Sequence, residues 1–168
     1  ARKEKIIVEN PITDSISIKK DTVSPIELEQ HVLTAQEAAR LIMEAKTYKD
    51  VDWLYPLVRT ALETGMRKGE LRALQFNKLG EDTILVNQGV SDIKGASRSI
   101  TSPKTSSSIR RIHVDKQLIT FLKHIPHQEE TDFVFHSPKD VRAPLSISPI
   151  DIQFKKLLSK TGIDKPIR

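Results

Sequence analysis

Hydrophobic residues recur at helical spacing after Thr34, and polar residues separate them. Glu37 stands three positions after Thr34, which is the arrangement of a capping box at a helix N-terminus. The apolar face that follows consists of Ala38, Leu41, Ile42 and Ala45. This period predicts an amphipathic helix that begins directly after Thr34.

A second helix is predicted over residues 53–63, with Pro56 marking its start or a kink, since proline has no amide to donate in an interior turn. Gly65 interrupts the apolar pattern, which then resumes at Leu71. Because glycine adopts the left-handed conformation easily, Gly65 is predicted to end this helix. A short third helix over 68–74 follows, and Arg67 lies at its mouth.

Residues rich in β-branched side chains indicate strands over 83–90 and 108–114, with a weaker one at 98–101. Residues 132–137 are predicted to form a short strand or an extended turn. Together these segments predict a small antiparallel sheet. The chain is therefore expected to have an α+β fold that is mainly helical.

Two further helices are predicted in the second half. Asp115 can cap a helix that Pro126 stops, and Ser148 is the expected N-cap of the last helix, with Pro149 at its first position and Gly162 as its C-cap. The apolar residues of this last helix are Ile152, Leu157 and Leu158.

Residues 1–33 lack a strong period and are expected to form a linker. The chain has 168 residues, enough for one ordinary domain with a real core. It has no cysteine, which excludes disulfides and thiolate metal sites. No stretch resembles a membrane span or a signal peptide, so we expect a soluble, cytoplasmic protein.

The formal net charge of +5 is concentrated in one segment. Residues 94–116 contain six bases and one acid, Asp115. The bases are Lys94, Arg98, Lys104, Arg110, Arg111 and Lys116. Such a basic stripe indicates binding to a polyanion, most often nucleic acid. The alternative is a charged hairpin that is only solvated.

Arg67 is the first candidate for phosphate binding. A guanidinium beside the unpaired amides of a helix N-terminus suits a phosphate, and Glu70 in the first turn can hold that guanidinium in one orientation. Lys104 is the second candidate, because it lies between two predicted strands where its amine can reach a bound backbone. Taken alone, each is better explained as a surface cation.

Two sequence boxes together resemble the tyrosine recombinase, or phage integrase, family. LETGMRKGELRAL, at 62–74, resembles the box around that family's first catalytic arginine. PKTSSSIRRIHV, at 103–114, resembles its hairpin pattern of lysine, threonine, serine and arginine. The matching hairpin residues are Lys104, Thr105, Ser108 and Arg110. The resemblance covers about residue 30 to the last residue.

The resemblance implies a role for each matching residue. Arg67 would clamp the scissile DNA phosphate, and Lys104 would be the general acid that protonates the departing 5′ oxygen. Thr105, Ser108 and Arg110, together with Arg98 from the basic stripe, would contact DNA without reading its sequence. The complete enzyme would need no metal and no cofactor. Its partners would be double-stranded DNA and sister protomers in a synaptic tetramer.

Several residues that the family requires have no match in this sequence. No histidine has an arginine three positions later, and Tyr48 and Tyr55 both precede Arg67, so neither matches the nucleophile. Arg168 does not match the second catalytic arginine. The resemblance therefore predicts the end of a core-binding domain and a linker over 1–33, and an incomplete catalytic domain over 34–168. This piece alone is expected to be inactive.

Other chemistry is less favoured by the sequence. His124 and His127 are poor metal ligands, because Pro126 separates them and no third ligand is near. Trp53 is expected in the core, and the hydroxyl-rich run at 97–108 indicates a loop.

Three functions are compared. A site-specific recombinase is the leading hypothesis, and a non-catalytic DNA-binding module of the same fold is the alternative. The third hypothesis, an RNA-binding domain, is disfavoured because this sequence lacks the aromatic-rich strand expected of such a domain.

Overall fold

The computed structural model describes residues 31–49, 51–92, 99–101 and 108–167. Most of the predicted linker, together with Arg98, Lys104, Thr105 and Arg168, lies outside the described residues.

The first helix, α1 (Ala35–Ala45), begins where its capping box predicts. The backbone N–H of Glu37 donates to the Thr34 hydroxyl at 3.2 Å, and the Thr34 N–H donates to the Glu37 carboxylate at 2.7 Å. Leu41 and Ala45 are buried, which confirms the predicted apolar face. Lys165 bonds the same carboxylate at 2.7 Å and joins the two ends of the described chain.

Helix α2 (Leu54–Thr64) ends at Gly65, which has a φ of +63° and donates its N–H to the Ala61 carbonyl at 2.9 Å. The predicted break is therefore confirmed. Pro56 is the third helical residue, in the first turn, where a missing amide costs no internal hydrogen bond. Helix α3 (Lys68–Arg72) follows and is only five residues long. A 3₁₀ turn, Phe76–Lys78, comes next.

The predicted strand over 83–90 is two strands, β1 (Thr83–Val86) and β2 (Gly89–Ser91). Between them, the Gln88 side chain donates to the Ala73 carbonyl at 2.7 Å. β1 and β2 belong to different sheets, so the β-branched run is not one continuous strand. Local sequence does not reveal which strands will pair.

All strand pairs are antiparallel, as predicted, but the described residues form three two-stranded sheets instead of one. β1 pairs with β4 (Arg110–His113) and β2 with β3 (Ser99–Thr101). The remaining pair consists of β5 (His136–Ser137) and β6 (Asp140–Pro144).

Helix α4 (Lys116–Lys123) is capped as predicted, because the Asp115 carboxylate accepts the Gln117 N–H at 2.7 Å. Helix α5 (Ile147–Thr161) begins two residues before the predicted start. Its N-cap is Ser146, so the assignment of Ser148 is wrong, and Pro149 is its third helical residue. Proline fits throughout a first turn and therefore marks a range of starting points.

The end of α5 is confirmed at Gly162, which has a φ of +66°. Leu157 and Leu158 are buried as predicted, but Ile152 is 53% exposed and does not belong to the apolar face.

Two clusters of buried side chains form the core. The larger one lies among α2, α3, β1 and α4, and the smaller one lies among α1, α2 and α5. Trp53 packs against both clusters, which confirms its predicted core position. The mixed helices and small antiparallel sheets confirm the predicted α+β class. Within the described ranges, no helix is long and apolar enough to span a membrane.

Candidate functional site

Arg67 occupies the N-cap position of α3, between the end of α2 and the first helical residue. Its side chain is 79% exposed. The nearest acidic contact joins its Nη1 to Glu70 Oε1 at 3.4 Å, the long end of the hydrogen-bonding range. The guanidinium therefore has most of its five donors directed to solvent, available to an anion.

Glu70 is held by three further hydrogen bonds. Its carboxylate accepts the backbone N–H of Arg67 at 2.8 Å and both terminal nitrogens of Arg110, at 3.0 and 2.8 Å. Arg110 first, with the Arg67 N–H as a further cause, holds the pKa of Glu70 below its ordinary value, although burial opposes the shift. Glu70 is thus an ionised bridge between α3 and β4.

Glu70 engages two groups near the mouth of α3. The amide of the N-cap residue Arg67 is occupied by Glu70, and the helix is short, so the exposed Arg67 guanidinium is an available anion-binding group. Glu70 engages the two terminal nitrogens of Arg110 and raises the pKa of its guanidinium, while the contact of Arg110 with DNA stays a prediction. The stronger partner of Glu70 is Arg110, not Arg67.

Gly69 places the backbone of α3 directly against β2. A Cβ at this position would lie 2.9 Å from the carbonyl oxygen of Val90, closer than real side chains approach a backbone atom. Glycine is therefore required here by contact, not by an unusual φ. This close packing fixes the distance between the helix that follows Arg67 and the β2–β3 sheet.

A sequence scan against family models provides the decisive comparison. The model described as "Phage integrase family" matches residues 31–168. The chain belongs to the phage integrase family.

Solved structures share the fold of this phage integrase chain. The integrase of the transposon Tn1549, in complex with transposon right-end DNA, superposes with a TM-score of 0.68 at 20% identity, covering 95% of this chain and 53% of that one. The same integrase with circular intermediate DNA gives 0.67 at 20% identity, covering 95% and 54%.

The XerA recombinase gives a TM-score of 0.54 at 22% identity, covering 80% of this chain and 44% of that one. The phage integrase chain spans about half the length of the solved Tn1549 integrase chain. No curated protein matches its sequence significantly.

The other predicted site residues of the phage integrase chain fall into two groups. Ser108 is half-buried at the start of the segment that leads into β4. Arg98, Lys104 and Thr105 lie outside the described residues, so their predicted roles stay predictions. The structure brings together Arg67, Glu70 and Arg110 from boxes some forty residues apart.

Two residues of α3, Arg72 and Lys68, make contacts that were not predicted from the sequence. Arg72 is 1% exposed, although its local position gives no signal except that it stands between the apolar Leu71 and Leu74. Lys68 bonds Asp151 of α5 at 2.6 Å, with both side chains partly exposed. Neither partner is close in sequence, so local pattern could not reveal the pairs.

The remaining aromatic and imidazole candidates have structural contacts. Tyr55 packs edge-on against Phe121 with ring centroids 5.4 Å apart, and Tyr48 packs against the smaller core cluster. His127 stacks on Phe76 at 3.8 Å. Across the described ranges, no three histidine or carboxylate side chains are grouped closely enough to hold a metal.

Proposed function

We propose that this phage integrase chain is part of a site-specific DNA recombinase, which cleaves and rejoins duplex DNA through a phosphotyrosine intermediate. One observation carries the proposal: an exposed arginine, Arg67, precedes a short helix that Glu70 and Arg110 tie to β4. The family membership and the fold shared with integrases solved on DNA support it.

Arg67 would bind the scissile phosphate. Attack on a phosphodiester concentrates negative charge on the nonbridging oxygens, and a guanidinium already in place stabilises that charge without reorganisation. The bidentate fork of arginine matches two such oxygens. Glu70 supports this role, because it bonds the Arg67 amide at 2.8 Å and so restrains the backbone from which the guanidinium extends.

Lys104 would supply the proton for the leaving 5′ oxygen. It belongs to the connection between Thr101 and Ser108, whose flanking strands are both attached near α3. The Thr101 hydroxyl donates to the Gly89 carbonyl at 3.2 Å, and Arg110 bonds Glu70. Two residues lie between Thr101 and Lys104, so their Cα atoms can be at most roughly 11 Å apart. Chain connectivity thus favours an amine within reach of a phosphate held by Arg67.

The reaction would proceed by exchange of one phosphoester for another. A tyrosine hydroxyl loses its proton to solvent as its oxygen attacks the phosphorus, the bond to the 5′ oxygen breaks, and Lys104 transfers a proton to that leaving oxygen. The new 3′-phosphotyrosyl bond retains the energy of the broken one, so rejoining needs no high-energy cofactor.

Residues 1–168 offer two tyrosines, and both pack within the fold. We therefore propose that the nucleophile lies outside these residues, and that 34–168 form an incomplete catalytic domain which alone does not cleave. The predicted linker over 1–33 and assembly into a synaptic tetramer belong to the same proposal. Arg98, Thr105, Ser108 and Arg110 would contact the DNA backbone.

A non-catalytic DNA-binding module is the second candidate function. The packed positions of Tyr48 and Tyr55 favour it, because both rings already contact neighbouring side chains. Such a module would bind duplex DNA through its cations but form no covalent adduct.

The test compares Arg67→Ala with Arg142→Ala in the complete protein. Arg142 is a matched control, because its side chain is also 79% exposed and its Nε lies 3.8 Å from an acidic partner, Asp140. The substrate is a duplex that the complete protein selects from a random-sequence pool.

The proposal expects a covalent protein–DNA adduct with the natural protein and Arg142→Ala, and none with Arg67→Ala. DNA affinity should change little in either variant, because many other contacts carry binding. Adduct formation by Arg67→Ala would remove the phosphate assignment. Binding without any adduct from the natural protein would favour the module.

A further inference from the structure

Helix α3 depends on the rest of the fold for its position. It has five residues, fewer than an isolated helix needs for stability in water. The interactions that attach it to neighbouring elements therefore determine where it lies, and with it the backbone that carries Arg67.

Arg72, the last residue of α3, makes the most constrained of these attachments. Its Nη1 and Nη2 donate to the two carboxylate oxygens of Asp92 at 2.5 and 2.9 Å, and its Nε donates to the Leu145 carbonyl at 2.7 Å. Asp92 directly follows β2, and Leu145 directly follows β6. One planar guanidinium thus joins α3 to two other parts of the fold.

The burial of Arg72 distinguishes this attachment from the others. Its side chain is 1% exposed, and it is the one buried cation in the described ranges. By contrast, Lys68 and Asp151 are 38% and 45% exposed, and the Arg67 to Glu70 side-chain contact is 3.4 Å long. Asp92 is 32% exposed, so the burial belongs to the cation. Water competes less for a bidentate pair whose cation is buried, so its geometry is the better fixed.

An ion pair with a buried cation is a poor way to gain stability, because apolar side chains of similar volume often stabilise as well or better. An arginine guanidinium that donates two hydrogen bonds to one carboxylate does, however, hold the two side chains in a defined relative orientation. We infer that Arg72, through Asp92 and the Leu145 carbonyl, is a positioning residue that orients α3 so that Arg67 meets the phosphate. This inference rests on the function proposed for Arg67.

The experiment uses Asp92→Asn, which keeps the side-chain shape and removes its charge, and Arg72→Met, which replaces the cation with an apolar chain. Glu63→Gln is the matched control, because it neutralises the partner of Arg59 within α2, where the two bond at 2.7 Å. Adduct formation by the complete protein is followed in single turnover at saturating DNA, using the selected duplex.

Both test variants should lower the single-turnover rate about 10- to 100-fold, the range expected when a catalytic group is misplaced by about 1 Å. Their DNA dissociation constants should stay within about twofold of the natural value, because the phosphate contacts are spread over many residues. Glu63→Gln should leave the rate unchanged. Rates of both test variants equal to that of Glu63→Gln would overturn the inference.

A purely structural role is separated by repeating Asp92→Asn in an Arg67→Lys background. If Arg72 acts through Arg67, the two effects overlap, and Asp92→Asn should slow Arg67→Lys by less than about threefold. If the two substitutions together slowed the reaction by the product of their separate factors, that result would overturn the inference. So would loss of folding in both Asp92→Asn and Arg72→Met, because the pair would then serve the whole fold.

The two proposals fail in different ways. An Arg67→Ala protein that still forms the adduct would contradict the function proposed for Arg67. An inactive Arg67→Ala protein, together with fully active Asp92→Asn and Arg72→Met proteins, would contradict the role of Arg72 alone.

Discussion

Glu70 and Arg110 join α3 to β4 through two parallel hydrogen bonds of 3.0 and 2.8 Å, across forty residues of sequence. The same carboxylate bonds the backbone amide of Arg67 at 2.8 Å. One acidic side chain therefore connects the two boxes that the sequence identified separately.

Glu70→Gln should destabilise the chain, because a side-chain amide offers only one acceptor where the carboxylate engages three donors. Hydrogen bonds to charged groups contribute about 1.5–3 kcal/mol each. Because glutamine retains part of this bonding, we expect a loss of about 1–2 kcal/mol in the free energy of unfolding. Urea denaturation measures it. Glu63→Gln, which changes a more exposed carboxylate than that of Glu70 (31% against 12%), should cost at most about 1 kcal/mol. Equal losses would contradict the bridging role.

Gly69→Ala should destabilise the chain although alanine favours helices by about 1 kcal/mol over glycine. The added Cβ would lie 2.9 Å from the Val90 carbonyl, and backbone on both sides resists displacement. We expect a net loss of about 1–3 kcal/mol in the free energy of unfolding, the usual range for overpacking. Urea titration and thermal denaturation both measure this loss.

Gly162→Ala is the contrasting variant. Its Cβ would meet nothing within 4 Å, but its φ of +66° disfavours a side chain by about 1–2 kcal/mol. Its amide exchange should change near the end of α5, whereas that of Gly69→Ala should change in α3 and β2. Stabilisation by Gly69→Ala would show that α3 does not pack closely on β2.

Lys165→Gln should weaken the acid dependence of stability. The bond from Lys165, followed by the bond from the Thr34 amide, lowers the pKa of Glu37 from 4.5 to about 2. Because the folded pKa is the lower one, this interaction contributes above pH 4.5 and is lost as pH falls from 4.5 through about 2.

The difference between the urea midpoints at pH 6 and pH 3 should therefore be smaller in Lys165→Gln than in the natural chain. Lys160→Gln, which removes a more exposed lysine bonded to Glu44 at 3.1 Å, should leave that difference unchanged. Carbon-detected NMR of the Glu37 carboxyl reports its titration directly. An unchanged titration in Lys165→Gln would contradict the assigned cause.

Lys104→Ala should slow DNA cleavage by the complete protein, about 10²- to 10⁴-fold, the usual contribution of a general acid. Replacing the bridging 5′ oxygen with sulfur should restore most of the rate, because a thiolate leaves without protonation. Lys116→Ala provides the control, since Lys116 belongs to the same basic stripe but begins α4. A Lys104→Ala defect that sulfur does not relieve would argue against proton transfer.

Local signals in the sequence predicted where several elements begin and end. Thr34 with Glu37, Asp115, Gly65 and Gly162 each act on their own neighbours, so a few residues contain the information. The start of α5 predicted from Ser148 and Pro149 is two residues too late, because a first turn accepts proline at more than one position. The apolar pattern was sufficient for the α+β class.

The sequence did not reveal the contacts that shape the site. Glu70 was assigned to Arg67, three residues away, but its main partner is Arg110. Arg72 would ordinarily be placed at the surface, and only its distant partners explain its burial. Pairings across 20–80 residues depend on the assembled fold, which helical or strand periodicity does not encode.

The central claim is that the Arg67 guanidinium and the Lys104 amine act on one phosphodiester. A crystal structure of the complete protein on its selected duplex, with the nucleophile blocked, measures this directly. The account predicts both groups within about 3 Å of oxygens on the scissile phosphate, Arg67 at the nonbridging ones and Lys104 at the 5′ oxygen. Contacts to different phosphates, or a Lys104 amine directed away from the DNA, would contradict it.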